Sequence, residues 1–343
     1  MKILYISPHG DFTDQMKRVF IENGVEIIYI DDRKNYFMPW LLRGSLIWKI
    51  TRRINFIRRK SNEILNEKAI ELCRKHHPDF LFTGKGMNIK VSTVLKIKSM
   101  GIKTVTWFME NTYQERYFNW FSNNYLNYDY VFTNDSYLFD KFFNKSSAKL
   151  CNISMTIDPD CYKEQTLNKE EAEKYSCDVC FVGAFDQNRE RILSKVNEIK
   201  GLNLKIFGWV GWKNSSLASL YHGPLNLEQM AKLYRSAKIC LNINGRNKST
   251  DPVMNGVSLK TFEIPASNGF QISDYRKDVE YLFKIGEEIE IFRSDDELID
   301  KIKFYLNNEE ARNKIAEAGH KRVLTSHTLD KRVKDILNFI QTN

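Results

Sequence analysis

Gly256-Val257-Ser258-Leu259-Lys260-Thr261-Phe262-Glu263-Ile264-Pro265-Ala266 runs on through Ser267-Asn268-Gly269 into Phe270-Gln271-Ile272-Ser273. A glycine-containing turn opens the stretch and a short helix follows. The helix meets Pro265 and leaves through Ser267-Asn268-Gly269 into an apolar, strand-like run. Turn, helix and strand in that order form part of a parallel crossover. The alternation extends both ways. Asp178–Val182, Leu204–Phe207 and Ile239–Ile243 read as strands before it, and Glu288–Phe292 after it. The first half repeats the pattern with Ile3–Ser7, Val25–Ile30, Phe80–Thr83, Thr104–Phe108, Tyr130–Thr133 and Lys149–Ile153. The expectation is an α/β protein of two doubly wound, Rossmann-like halves with helices on both sheet faces. A polar passage from Ser154 to Tyr175 reads as the connection, and helices over Asp296–Leu306, Glu309–Leu324 and Leu329–Gln341 close the sequence. The predicted domains are 1–155 and 176–325, with 326–343 a C-terminal helix packing back on the first. Such halves are expected to form a cleft at the carboxyl ends of their strands, where nucleotide-type ligands bind.

A length of 343 residues exceeds one ordinary core and suits two domains of about 150 residues each. With 42% hydrophobic and 28% charged residues, wholesale disorder is excluded. No stretch approaches the ~18–20 uncharged apolar residues of a membrane span. Met1 to Ser7 reads as a buried first strand, not a signal peptide, so a soluble, cytoplasmic protein is expected. Cys73, Cys151, Cys161, Cys177, Cys180 and Cys240 are scattered, as reduced thiols would be. Cys177 and Cys180 form a CxxC that leads into a strand with no second Cys or His pair, so neither metal nor redox chemistry is expected there.

The charge is uneven. Between residues 41 and 60 stand Arg43, Lys49, Arg52, Arg53, Arg58, Arg59 and Lys60, with no acidic residue. Leu42, Leu46, Ile47, Ile50, Ile54 and Ile57 share one sector of a helical wheel, and Trp40 and Trp48 lie close by. One reading is a solvated helix packed on a domain. The other is a surface for an anionic partner, whether acidic membrane, phosphate-bearing acceptor or nucleic acid. A membrane contact would place the protein at the inner face.

Dinucleotide and P-loop chemistries do not fit. The first turn, Ser7-Pro8-His9-Gly10-Asp11, has one glycine where the dinucleotide fingerprint needs three, and no Walker A sequence occurs. The second half offers more. Gly183 leaves a strand and Arg189 stands in the next helical turn, a pairing suited to phosphate oxygens, though an ordinary turn with a solvated arginine has the same residues. Gly208, between Phe207 and Trp209, ends another strand, and Trp209 and Trp212 could flank a base or simply pack. In the opening stretch, Lys260 brings positive charge to the helix start, where the dipole also favours a diphosphate. Glu263, one turn on, suits the two hydroxyls of a ribose. A capped helix with a surface glutamate is the plain alternative.

The stretch Gly256 to Ala266 resembles the nucleotide-sugar motif of the CgeB-like (spore-maturation) glycosyltransferases, a branch of the GT-B superfamily. The likeness continues through Gly269-Phe270, Ser273-Asp274-Tyr275, Glu288-Ile289, Arg293 to Leu298, Ile315 to Gly319 and His327-Thr328. Upstream it includes Asp178 to Gly183 with Asn188-Arg189, and Asn226 to Asn242 with Tyr234. It is specific over about residues 176–330 and diffuse before them. It implies a GT-B fold whose C-terminal domain binds the sugar nucleotide and whose N-terminal domain receives the acceptor. Glu263 would then hold the ribose. Gly256, Val257, Ser258, Leu259 and Lys260 would meet the diphosphate, with Gly183, Arg189, Gly208 and Asn242 lining the same site. Two departures stand out. Asn255 occupies the position eight before Glu263, where many related enzymes carry another glutamate, and Lys260 replaces the usual arginine.

Transfer needs a stabilised leaving diphosphate and a base for the acceptor hydroxyl. The base is expected at a strand end of the first domain, with Glu110 preferred over Asp11 and His9. The plain alternatives are a helix cap for Asp11 and a cap or salt bridge for Glu110. Lys85, between Gly84 and Gly86, is a candidate for phosphate or acceptor, with Arg52, Arg53, Arg58 and Arg59 on the anionic-partner surface. Asp158-Pro159-Asp160 has metal-motif spacing but reads as a turn, so no metal is expected. The sequence therefore predicts a metal-independent transferase using a UDP-sugar, with no tightly bound cofactor and a surface glycan or lipid-linked acceptor. A phage-type DNA-base glycosyltransferase and a non-catalytic nucleotide- or glycan-binding protein remain alternatives.

Overall fold

The computed structural model describes residues 1–34, 36–37, 54–110, 115–145, 147–163, 167–245 and 255–343. They form two compact units, Met1–Ile153 with Val333–Asn343, and Ser154–Arg332. Of the basic stretch 41–60, residues 41–53 lie outside the described residues, and with them Arg43, Lys49, Arg52 and Arg53. Trp40 and Trp48 lie outside as well.

In the first unit the order is β1 (Lys2–Ser7), α1 (Asp11–Glu22), β2 (Glu26–Asp31), α2 (Asn55–His76), β3 (Phe80–Gly84), α3 (Val91–Lys98) and β4 (Lys103–Phe108). Then follow α4 (Glu115–Asn124), β5 (Tyr130–Thr133), α5 (Ser136–Phe142) and β6 (Lys149–Asn152). The strands pair in parallel in the order β2-β1-β3-β4-β5-β6. Ile3 to Ile6 are buried on both faces, which is why β1 is an unbroken apolar run. Phe20 of α1 packs edge-on against Tyr5 and Phe82 on one face, while Leu4, Ile6, Leu81 and Val131 join the core on the other. The chain leaves β1 towards β2 and leaves β3 in the opposite direction, so the topological switch point lies between β1 and β3.

In the second unit the order is α6 (Lys169–Tyr175), β7 (Cys177–Val182), α7 (Gln187–Asn197), β8 (Leu204–Phe207), α8 (Leu227–Ser236), β9 (Ala237–Asn242) and α9 (Lys260–Ala266). Next come β10 (Gln271–Asp274), α10 (Val279–Leu282), β11 (Glu290–Phe292), α11 (Asp295–Asn307) and α12 (Glu309–Ser326). The parallel order is β11-β10-β9-β7-β8, with the switch point between β7 and β9. A last helix, α13 (Leu329–Thr342), starts in this unit and ends in the first, where Phe339 packs edge-on against Phe132.

The passage Ser154–Tyr175, read from sequence as a connection, lies in the second unit. Asn168 and Glu171 form a capping box that starts α6, and Tyr162 and Tyr175 are buried. Asp158 caps a turn over Pro159–Tyr162 by accepting the Asp160 N–H at 3.2 Å. The CxxC cysteines are free and buried.

Candidate functional site

In the second unit the loops leaving β7, β8, β9 and β10 gather the candidate residues. Gly183, after β7, donates its N–H to the Phe207 carbonyl and accepts from Trp212 Nε1, both at 2.9 Å. A Cβ on Gly208 would lie 2.1 Å from the Gly183 oxygen, and Gly208 has φ 133°, so only glycine allows these two loops to close. Trp212 is fully buried while Trp209 is 74% exposed, so the two indoles do not bracket a common slot as the sequence suggested.

Arg189 spans the switch point. Its Nε donates to the Ile243 carbonyl beyond β9 and its Nη1 to the Ala184 carbonyl beyond β7, each at 2.9 Å. Asn242, at the end of β9, is buried and serves the neighbouring turn. Its Nδ2 donates to Thr261 Oγ1 and its Oδ1 accepts from Ser258 Oγ, both at 3.0 Å. The turn Gly256–Leu259 and the start of α9 are thus tied to the sheet edge. Asp274 holds the other loop, accepting from the Asn244 N–H and Nδ2.

Lys260 and Glu263 stand three apart at the start of α9. Glu263 is only 5% exposed, which overturns the reading of a surface glutamate, and Tyr162 donates to its Oε1 at 2.9 Å. Burial raises the Glu263 carboxyl, opposed by Lys260 and the Tyr162 hydroxyl. Burial also lowers the Lys260 ammonium, with Glu263 opposing and Arg189 adding to the effect. The amides of Thr261 and Phe262 already bond to Ser258 and Leu259. With α9 only seven residues long, Lys260 carries more of the positive potential here than the helix dipole. Tyr162 escaped the sequence reading. No local pattern marks it, because its partner lies 101 residues away.

In the first unit the structure brings Glu110 and Lys85 together as an ion pair. Both line a cavity of about 350 Å³, as does Arg58. His9 and Asp11 are exposed and do not line it. Gly10, not Asp11, occupies the cap position of α1, and Asp11 is the helix's first residue. Arg59 is exposed and pairs with Glu63 at 3.4 Å. The cavity lies at the β1/β3 switch point and also includes Asp32, which the sequence reading passed over. Asp32 is 7% exposed, and burial pushes its carboxyl up to about 6.

Among the described residues there is no group of three or more His, Cys, Asp or Glu side chains placed to hold a metal ion. Nor is any described helix long and apolar enough to cross a membrane.

Residues 188–338 match a protein family described as glycosyl transferase-like. No curated protein matches the sequence. Among solved structures, the chain is similar to sucrose-phosphate synthase from Thermosynechococcus elongatus, with TM-score 0.71 and 11% identity over 100% of this chain and 98% of that one. A glycosyltransferase from Rickettsia africae matches with TM-score 0.67 and 13% identity, covering 98% and 97%. Anabaena HepE, solved in complex with UDP-glucose, matches with TM-score 0.67 and 10% identity over the full length of both chains. At such identities the likeness establishes the fold.

Proposed function

We propose that this chain, with the GT-B fold and a glycosyl transferase-like segment over residues 188–338, transfers a glycosyl group from a nucleotide-sugar donor to an acceptor hydroxyl. The observation that carries the proposal is the buried Glu263, oriented by Tyr162 and one turn from Lys260, where the loops of a nucleotide-type sheet gather. A ribose hydroxyl pair can donate to that carboxylate. The leaving diphosphate meets Lys260, with Arg189 adding potential from its anchored position, so transfer is proposed to proceed without a metal. Gly183, Gly208 and Asn242 shape the edge on which the donor lies. HepE in complex with UDP-glucose makes UDP the first nucleotide to try.

The acceptor is proposed to be a surface glycan or its lipid-linked precursor, received by the first unit. Of the expected bases, Glu110 is favoured because it alone lines the cavity, where it pairs with Lys85. The test is a thermal-shift panel of UDP, GDP, CMP, dTDP and ADP. One nucleoside diphosphate should raise the midpoint, and Glu263→Ala should abolish that shift. A well-folded protein that responds to none of them would overturn the reading.

A further inference from the structure

The loop after β2 and the start of α2 form one surface. Ser61 of α2 accepts the Tyr36 N–H at 2.8 Å and donates to the Lys34 carbonyl at 3.2 Å. The Phe37 and Phe56 rings meet edge-on, 5.8 Å apart and at 89° to one another. Apolar side chains stand open to water here: Phe56 is 60% exposed and Ile54 44%. Exposed cations surround them, Arg33 and Lys34 on the loop and Arg58, Arg59 and Lys60 on the helix. Among the described residues Arg33, Lys34 and Arg58 have no ion-pair partner, while Arg59 and Lys60 share Glu63. Of the nearby carboxylates, Asp31 accepts the N–H groups of His9 and Arg33, and Asp32 is buried. The sequence joining Phe37 to Ile54 adds Arg43, Lys49, Arg52 and Arg53 and no acidic residue.

A nucleic-acid backbone would match the cations but has no use for Ile54. Two rings set at right angles also give successive bases no parallel platform to stack on. An apolar protein groove would cover Ile54 and Phe56 but strip water from cations that have no carboxylate to replace it. A bilayer with anionic headgroups satisfies both kinds of group. The cations stay in the hydrated headgroup layer while apolar side chains enter the acyl boundary. We propose that this face of the first unit binds the surface of an anionic lipid bilayer, with Ile54 and Phe56 entering the interface and Arg33, Lys34, Arg58 and Arg59 lying among the headgroups. Either contribution alone gives weak, reversible attachment, so binding requires the two together. This attachment does not rest on the transfer reaction.

The test is co-sedimentation of the full chain with lipid vesicles. Equimolar phosphatidylcholine and phosphatidylglycerol should bind it at least tenfold more tightly than phosphatidylcholine alone, and salt at about 0.5 M should remove most of that difference. Ile54→Ser combined with Phe56→Ser should weaken binding to the mixed vesicles at least tenfold. Arg58→Gln combined with Arg59→Gln should do the same and flatten the salt dependence. All four side chains are exposed, so both variants should melt with the parent, which separates lost binding from lost fold. Binding to neither vesicle, equal binding to both, or an Ile54/Phe56 variant that binds as the parent does overturns the proposal. Retention on random-sequence duplex DNA without vesicle binding also overturns it and makes the surface a nucleic-acid site. The UDP shift is read on the same preparations. A UDP shift without vesicle binding sinks this inference alone, and vesicle binding without a nucleotide shift sinks only the donor assignment.

Discussion

Glu263 is buried and Lys260 half-buried, and each is disfavoured in its charged form by that burial. In the proposed donor site a diphosphate needs the ammonium and a ribose needs the carboxylate, so nucleotide affinity should fall at both pH extremes. On the acid side the fall should begin above the ordinary glutamate value of 4.5, because the Glu263 carboxyl is raised. On the alkaline side it should begin below the ordinary lysine value of 10.5, because Lys260 is lowered. Calorimetric titration of UDP across pH would show both limbs. Tyr162→Phe removes the hydroxyl that favours the ionised glutamate. It should weaken UDP binding about tenfold, roughly 1.4 kcal/mol, and move the acid limb to higher pH. A loss of stability with the limb unmoved would make Tyr162 merely a packing residue.

Asp32 gives an opposite signature in stability. Its carboxyl sits at about 6 in the folded chain against an ordinary 3.8, so the folded state binds the proton more tightly than the unfolded one. Stability from this group is therefore present in acid and lost as pH rises from about 4 through about 6, at most ~3 kcal/mol. Asp32→Asn lacks that loss. Urea unfolding should find the variant more stable than the parent at pH 8 and no more stable at pH 4. Equal gains at both pH values would remove the assigned cause.

At the scale of elements, the sheet edge depends on backbone closeness. Gly208→Ala places a Cβ against the Gly183 oxygen at a backbone angle that alanine resists, and should lower the melting temperature by several degrees. UDP affinity should fall with it if the two loops support the donor. The elements themselves were readable because the centres of β1, β7 and β9 (residues 3–6, 179–182 and 239–241) are buried on both faces and so appear as short apolar runs between helical patterns. The short helix Lys169–Tyr175 was missed because its residues, Lys-Glu-Glu-Ala-Glu-Lys-Tyr, have no apolar stripe. The Asn168/Glu171 capping box was the local clue to it. Lys260 and Glu263 were readable as a pair at helical spacing, but the burial of Glu263 was not, since it is set by packing of distant segments. Asp32 shows the same limit. Its environment depends on Asn88, 56 residues on, and nothing beside it in sequence separates it from a surface aspartate.

At the scale of the whole molecule, α13 belongs to both units. Val333, Ile336 and Ile340 are buried, and Phe339 lies against Phe132 and Tyr130. Deleting residues 333–343 strips that cover from the first sheet. Calorimetry of the truncated protein should show the first unit's transition lowered or absent. UDP binding, whose proposed residues all lie in Ser154–Arg332, should persist. Loss of both together would mean that the units do not fold separately.

The division of the first unit between Met1–Ile153 and Val333–Asn343 also bears on synthesis. Domains commonly fold as they emerge from the ribosome, the earliest segment first. Here the earliest segment lacks its final helix until the whole second unit has been translated. The second unit is thus free to close while Tyr130 and Phe132 still await Phe339. The half that is translated first is thus covered only after the second has been made.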